Sequence, residues 1–348
     1  MTAVYTSAFC LEHYAKGHPE SPDRLRAALA GVRDVPHADA LRWPELTEAQ
    51  TAPIEAIHGA PYVRRIAEFA ERGGGWVDPD TFVGPASYRA AVDAVWATVS
   101  ATRDVLDRRT DNGLVLVRPP GHHATSERAM GFCLFNNVAI AAEWALQQAG
   151  CKRVAIVDVD VHHGNGTQEI FYARPDVLYC STHQYPFYPG TGGANEIGTG
   201  EGTGATINVP LGAGCGDETY IDVTEHVLAP ALRRYAPELI FVSLGFDAHW
   251  ADPLAQMRLS IAGYGDILRR ISELADEICD GRLVFLLEGG YDLRVLERGL
   301  ATAGCVLTGA SQPRDVLGPP PPAPEPHAAQ TVIAAVCELH NLPRVTGG

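Results

Sequence analysis

The sequence predicts an α/β protein built on one parallel sheet, with a metal site at the carboxyl ends of its strands. Short apolar runs alternate with helical patterns along the chain, as in doubly covered parallel sheets. Several of these runs exit directly into acids, histidines or a tyrosine. One of them, within Arg153–Gln168, ends in Asp158, Asp160 and His162 at every second position, a spacing that turns all three to one side of an extended chain.

That stretch organises the rest. Val154–Val157 reads as a central buried strand, and Gly164, Asn165 and Gly166 read as the loop that ends it. Two carboxylates and an imidazole brought to one spot are costly without a cation, and open α/β sheets bind ligands at this edge. The competing reading is a strand exit with solvated acids and a hydrogen-bonded histidine pair. Three alternating ligand side chains at the end of a buried strand favour the metal.

The elements follow in order. Val4–Ser7 is a short first strand, and Ser21-Pro22 starts a helix with a serine cap, a proline at the first position and Asp23 in the first turn. Glu55–Ile66 has a loose helical pattern, Gly73–Gly75 breaks the chain, and Asp78–Gly84 is a loop before an alanine-rich helix over Pro85–Leu106. Leu114–Val117 is a second buried strand; two prolines and a glycine stop it and present His122 and His123. Asn136 caps a helix over Val138–Gln148, and Asp176–Ser181 and Asn208–Leu211 are strands on either side of a glycine- and aromatic-rich loop, Gln184–Gly204. Helices are expected over Asp217–Tyr235 and Ser260–Cys279, and strands over Leu239–Leu244 and Leu283–Leu287. The last two strands exit into Asp247 and Tyr291. Residues 1–310 are expected to be one catalytic domain, followed over 311–348 by a stiff spacer at Pro319–Pro326 and a weakly signalled helix at Ala328–His340.

Bulk composition narrows the function classes. The 348 residues are 46% hydrophobic, ample for one large core. A formal net charge of −15 with scattered charges argues against nucleic acid as partner and suits a cationic amine. Eight cysteines without a CxxC pair read as free thiols in a reducing cytosol. No signal-peptide pattern and no apolar run near the ~18 residues of a membrane span are present, so a cytoplasmic protein is expected. No coiled-coil seam or apolar stripe indicates an oligomeric state.

These residues imply a reaction. Zinc held by Asp160, His162 and Asp247 would keep positions open for water and a substrate oxygen. His122 and His123 then serve as acid and base, Asp158 as a carboxylate holding a histidine, and Tyr291 as a hydroxyl donor to the oxyanion. Metal-assisted amide hydrolysis is the expectation.

The same residues sit in longer motifs. RPPGHHA at Arg118–Ala124, GFCLFNN at Gly131–Asn137, DVDVHHGNGTQ at Asp158–Gln168, GFDAHWADPLAQ at Gly245–Gln256 and EGGYDL at Glu288–Leu293, with HPESPDRL at His18–Leu25, resemble the histone deacetylase family, and within it class II and bacterial deacetylase-like amidohydrolases. The resemblance implies the arginase/deacetylase fold with a sheet of about eight strands. It implies the same zinc ligands, His122 and His123 as tandem base and acid, and Tyr291 opposite the metal. It implies a potassium site at Asp158, Ser181 and the carbonyls of Asp160, His162 and Thr182, and a second cation site near Phe171, Arg174 and Val177. Phe132 and Tyr188 match the walls of an acyl-lysine tunnel.

Two departures inform the reading. Asn165 stands where class I members carry a carboxylate, which points to class II and to a lower pKa for His123. Leu254 in DPLA stands where animal polyamine deacetylases carry a gatekeeping glutamate. Expected substrates are therefore acyl-lysine or a small acylated amine such as an acetylpolyamine. A dinuclear ureohydrolase would need aspartates where Gly164 and His249 stand, and a binding module that holds an acyl-lysine without turnover would usually have lost a ligand or the tyrosine.

Overall fold

The computed structural model describes residues 1–36, 38–323, 326 and 328–343. Seven parallel strands form the sheet: β1 (Thr2–Tyr5), β4 (Asn112–Val115), β5 (Val154–Asp158), β6 (Val177–Gln184), β7 (Thr206–Leu211), β8 (Ile240–Leu244) and β9 (Leu283–Leu287). Their order is β1-β4-β9-β8-β5-β6-β7, so β5, β8 and β9 lie inside and the chain crosses over repeatedly. β2 (Gly75–Trp76) and β3 (Phe82–Val83) form a separate antiparallel pair, and β3 lies within the Asp78–Gly84 segment expected to be a loop. The sheet thus has seven strands where the resemblance implies about eight.

The apolar runs of β5, β8 and β9 are buried at every residue, because helices cover both faces. These helices are α1 (Pro22–Arg33), α2 (Ala52–Glu71), α3 (Ser87–Leu106), α4 (Asn137–Gln147), α5 (Asn165–Phe171), α6 (Asp217–Val223), α7 (Ala229–Tyr235), α8 (Ile261–Cys279) and α9 (Leu293–Thr308). α2 breaks at Gly59, whose φ of 66° lies in the left-handed region just before Pro61. The single helix expected over Asp217–Tyr235 is α6 and α7 joined by a π-helical turn at Thr224–Leu228.

Several boundaries differ from expectation. β1 ends at Tyr5 rather than Ser7, and β6 continues to Gln184, so Ser181 and Thr182 sit inside a strand. Asn165 does not lie in a loop: it is the first residue of α5. Of the proline-rich segment, Pro324 and Glu325 lie outside the described residues, as do His327 and the tail from Arg344. The last helix, α10 (Ala328–Leu339), docks on β7 and α6, burying Ile333, Val336 and Cys337.

Candidate metal centre and active site

The carboxyl ends of β4, β5, β8 and β9 meet at one point. β5 stops at Asp158, and the chain turns so that Asp160 and His162 face the segment after β8. His162 Nδ1 lies 3.2 Å from Asp160 Oδ1 and 3.2 Å from Asp247 Oδ2. One ligand atom from each of these three residues lies within 4.8 Å of the others, and no second such group occurs among the described residues. Asp158, which leads the alternating acids of the sequence, is not in the group.

Backbone amides hold both carboxylates. Asp160 Oδ2 accepts from Gly289 N at 2.7 Å, and Asp247 Oδ1 accepts from Val161 N at 3.0 Å. Asp160 Oδ1 in turn accepts from His162 N at 2.9 Å. Asp247 Oδ2 is buried with no hydrogen-bond donor in good geometry; its near neighbour is His162 Nδ1 at 3.2 Å. A buried carboxylate oxygen in that state calls for a cation. Gly289 leaves the space: a Cβ there would strike Asp247 Oδ2 and come within 2.5 Å of Asp160 Oδ2. The electrostatics agree. Burial alone would lower the pKa of His162, but the two aspartates overcome it and raise it to about 10. Burial and Asp160 raise the Asp247 carboxyl. Without metal, a proton on His162 offsets the paired acids; a dication fits the same place, with two carboxylates and one imidazole as donors.

His122 and His123 stand beside this centre with ring centroids 4.0 Å apart. His122 Nδ1 lies 3.1 Å from Asp158 Oδ2, which also accepts from the Tyr179 hydroxyl. His123 Nδ1 lies 2.8 Å from Asn165 Oδ1. Both partnerships expected from the sequence are therefore made. Their effects diverge. Burial works against charge on His122, yet Asp158 and Asp160 raise it to about 10. His123 is held well below the usual imidazole range by burial and then by the neighbouring His122 and His162. Gly131 (φ 54°) lets the chain lie flat on His123, since a Cβ there would collide with the ring.

A cavity of about 210 Å³ opens onto the centre. Phe132, Tyr188 and Leu254, expected as channel residues, line it together with His123, His162 and Tyr291. Phe187 stacks on His162 with centroids 5.4 Å apart, and Tyr188 meets His123 edge-on at 5.1 Å. The Tyr291 ring meets Phe132 edge-on at 5.8 Å. Burial keeps the Tyr291 hydroxyl protonated, so it is a donor.

The residues expected at the cation sites behind the centre are also placed. Asp158 on β5 pairs in register with Ser181 on β6, and Thr182 follows. Ser181 Oγ is 2.9 Å from His183 Nδ1. Phe171, Arg174 and Val177 span the turn from α5 to β6, where the Phe171 carbonyl accepts from Arg174 N at 2.9 Å. The aspartates of a dinuclear site are absent. A side chain at Gly164 would run into Asp158, Tyr179 and His122, and His249 Nδ1 accepts from Ala251 N at 3.1 Å.

Sequence reasoning missed the buried frame around these groups. Glu20, fully buried, bridges Arg118 and Arg24. Arg24 donates to the carbonyls of Gly290 and Glu288, both at 2.6 Å, and its guanidinium lies 4.9 Å from the Tyr291 ring. Glu288 accepts from Gly121 N at 2.7 Å and His122 N at 3.2 Å. Arg24 and Glu288 are 264 residues apart, so no local spacing pairs them. A cluster of charged residues inside otherwise turn-like motifs was the only signal.

Comparison with known proteins places this arrangement. A histone deacetylase domain model matches residues 18–307. A probable deacetylase of Archaeoglobus fulgidus is 37% identical over 322 residues, 90% of this chain and 89% of that protein. A histone deacetylase-like amidohydrolase of Pseudomonas aeruginosa is 41% identical over 279 residues, 80% of this chain and 73% of that protein. The crystal structure of the HDA15 HD domain superposes with a TM-score of 0.88 at 36% identity, covering 97% of this chain and 94% of that one.

Proposed function

Since the chain belongs to the histone deacetylase family, we propose that it is a zinc-dependent amidohydrolase that removes an acetyl or other short acyl group from an amine such as the ε-amine of lysine. The observation that carries this is the meeting of three ligand side chains, Asp160, His162 and Asp247, beside the adjacent pair His122 and His123 and next to a cavity lined by His123, His162 and Tyr291. Zinc, when bound, supplies a Lewis acid for the amide carbonyl and a lowered pKa for water.

The remaining roles belong to the chain. His123 faces the cavity and is neutral, so it accepts the proton of the attacking water and returns it to the leaving amine. His122, kept protonated by Asp158, is its partner in the acid/base pair and holds positive charge beside it. Tyr291 donates to the oxyanion as the carbonyl becomes tetrahedral. Phe132, Tyr188 and Phe187 exclude water around an alkyl stem. Asp158, Ser181 and the Thr182 carbonyl are the proposed potassium site, supported by the register of β5 against β6. Eight free cysteines suit a reducing compartment such as the cytoplasm, and no helix among the described residues is long and apolar enough to cross a membrane.

Leu254 brings no carboxylate to the cavity, which removes one reason to choose a polyamine; Asp80 is the carboxylate that does line it. The test is a panel of acylated lysine peptides and acetylpolyamines compared by kcat/KM with zinc bound. Acyl-lysine is expected to lead. Asp160→Ala should lose zinc and activity together, and full activity in that variant ends the hydrolase reading. A zinc-loaded wild type inert towards the whole panel would instead indicate a binding module.

A further inference from the structure

We propose that Asp252 is a positioning residue that sets the Tyr291 phenol and the cavity wall at Leu254 relative to each other, one carboxylate oxygen for each. The proposal rests on the hydrolase reading above and assigns a residue that reading does not use. Asp252 is buried in the segment after β8. Its Oδ2 accepts from Tyr291 N at 2.6 Å and from Asp292 N at 3.2 Å. Its Oδ1 accepts from Leu254 N at 2.9 Å. Tyr291 and Leu254 both line the cavity; Asp252 itself does not, so it acts through them.

The chain around Tyr291 explains why such a pin is needed. Gly289 and Gly290 precede it, and Gly290 has a φ of 109°, so no side chain stiffens the approach. Arg24 holds the Gly290 carbonyl on that side. Asp292 caps α9 on the other, with Oδ1 accepting from Arg294 N at 2.9 Å. Between them the backbone of Tyr291 is fixed by Asp252. Hydrogen bonds to a buried carboxylate are short and strong, and a small displacement of a catalytic group is expensive in rate.

The two oxygens can be separated by experiment. In Asp252→Asn the amide oxygen faces the two donors at Tyr291 and Asp292, and its NH₂ meets the Leu254 N–H, donor against donor. KM should rise about fivefold while kcat stays within about threefold. Asp252→Ala frees both anchors, and kcat should fall about 100-fold. In a Tyr291→Phe background the same alanine change should cost less than about threefold in kcat, because the phenol it positions is gone. A merely structural aspartate would cost the same factor in both backgrounds. Zinc content and melting temperature are measured on every variant. Should Asp252→Ala not fold, the asparagine variant decides: a KM rise in both backgrounds supports the proposal. An unchanged KM in Asp252→Asn overturns it, and so does an undiminished kcat loss when Asp252→Ala is combined with Tyr291→Phe. An inert wild type sinks the hydrolase reading and withdraws this assignment with it; an active wild type with unaffected Asp252 variants sinks only the assignment.

Discussion

His123 Nδ1 lies 2.8 Å from the side-chain oxygen of Asn165, a neutral partner, while its twin His122 faces the carboxylate of Asp158. The difference sets which ring is free to take a proton. Placing a carboxylate at 165 adds a negative charge in hydrogen-bond contact with His123 and raises its pKa. If neutral His123 is the base, the acidic limb of the kcat/KM profile in Asn165→Asp should move to higher pH by about 1 to 2 units. An unmoved limb would place the titrating base elsewhere.

Gly289 tests the metal centre without touching a ligand. Its missing side chain is the space beside Asp160 and Asp247, and its N–H holds Asp160 Oδ2. Gly289→Ala should reduce bound zinc to well below one per chain while far-ultraviolet circular dichroism is unchanged. Metal analysis after dialysis checks this; full occupancy would show that the carboxylates do not need the space.

Glu20 pairs with both Arg118 and Arg24 in the frame behind Tyr291. Burial alone would raise its pKa, yet Arg118, His13 and Arg24 hold it down at about 2, so it is ionised throughout the useful pH range. Glu20→Ala leaves two buried guanidinium groups without their carboxylate. Breaking a buried pair from one side costs about 3–5 kcal/mol, which urea unfolding at neutral pH should register. A loss below about 1 kcal/mol would mean that carbonyl acceptors alone suffice.

His58 makes stability pH-dependent. Burial lowers its pKa to about 4, and its Nε2 accepts from Asn136 N at 2.8 Å, which requires an unprotonated nitrogen. The unfolded chain binds a proton near pH 6.5 that the folded one refuses until about 4. Stability is therefore full above about pH 6.5 and falls as pH drops towards 4, by about 1.4 kcal/mol per pH unit for this one group. His58→Gln should make the measured slope between pH 6 and 5 shallower by about that amount.

Residue pattern was enough to read the sheet and the chemistry along its edge. Buried strands write themselves as unbroken apolar runs, and the motifs at their ends carried Asp160, His162, Asp247, His122, His123 and Tyr291, all of which meet at one site. Local rules handled these because each strand and its exit are contiguous in the chain. Which distant groups share a hydrogen bond emerged only once the crossovers were packed. Folding put Asn165 at the start of a helix and joined Glu20 to Arg118 and Asp252 to Tyr291, whereas the contact of Asp158 with a histidine was already legible in the motifs. A buried polar group must find a partner wherever the fold brings one, and nothing in local spacing encodes a partner that arrives from another crossover.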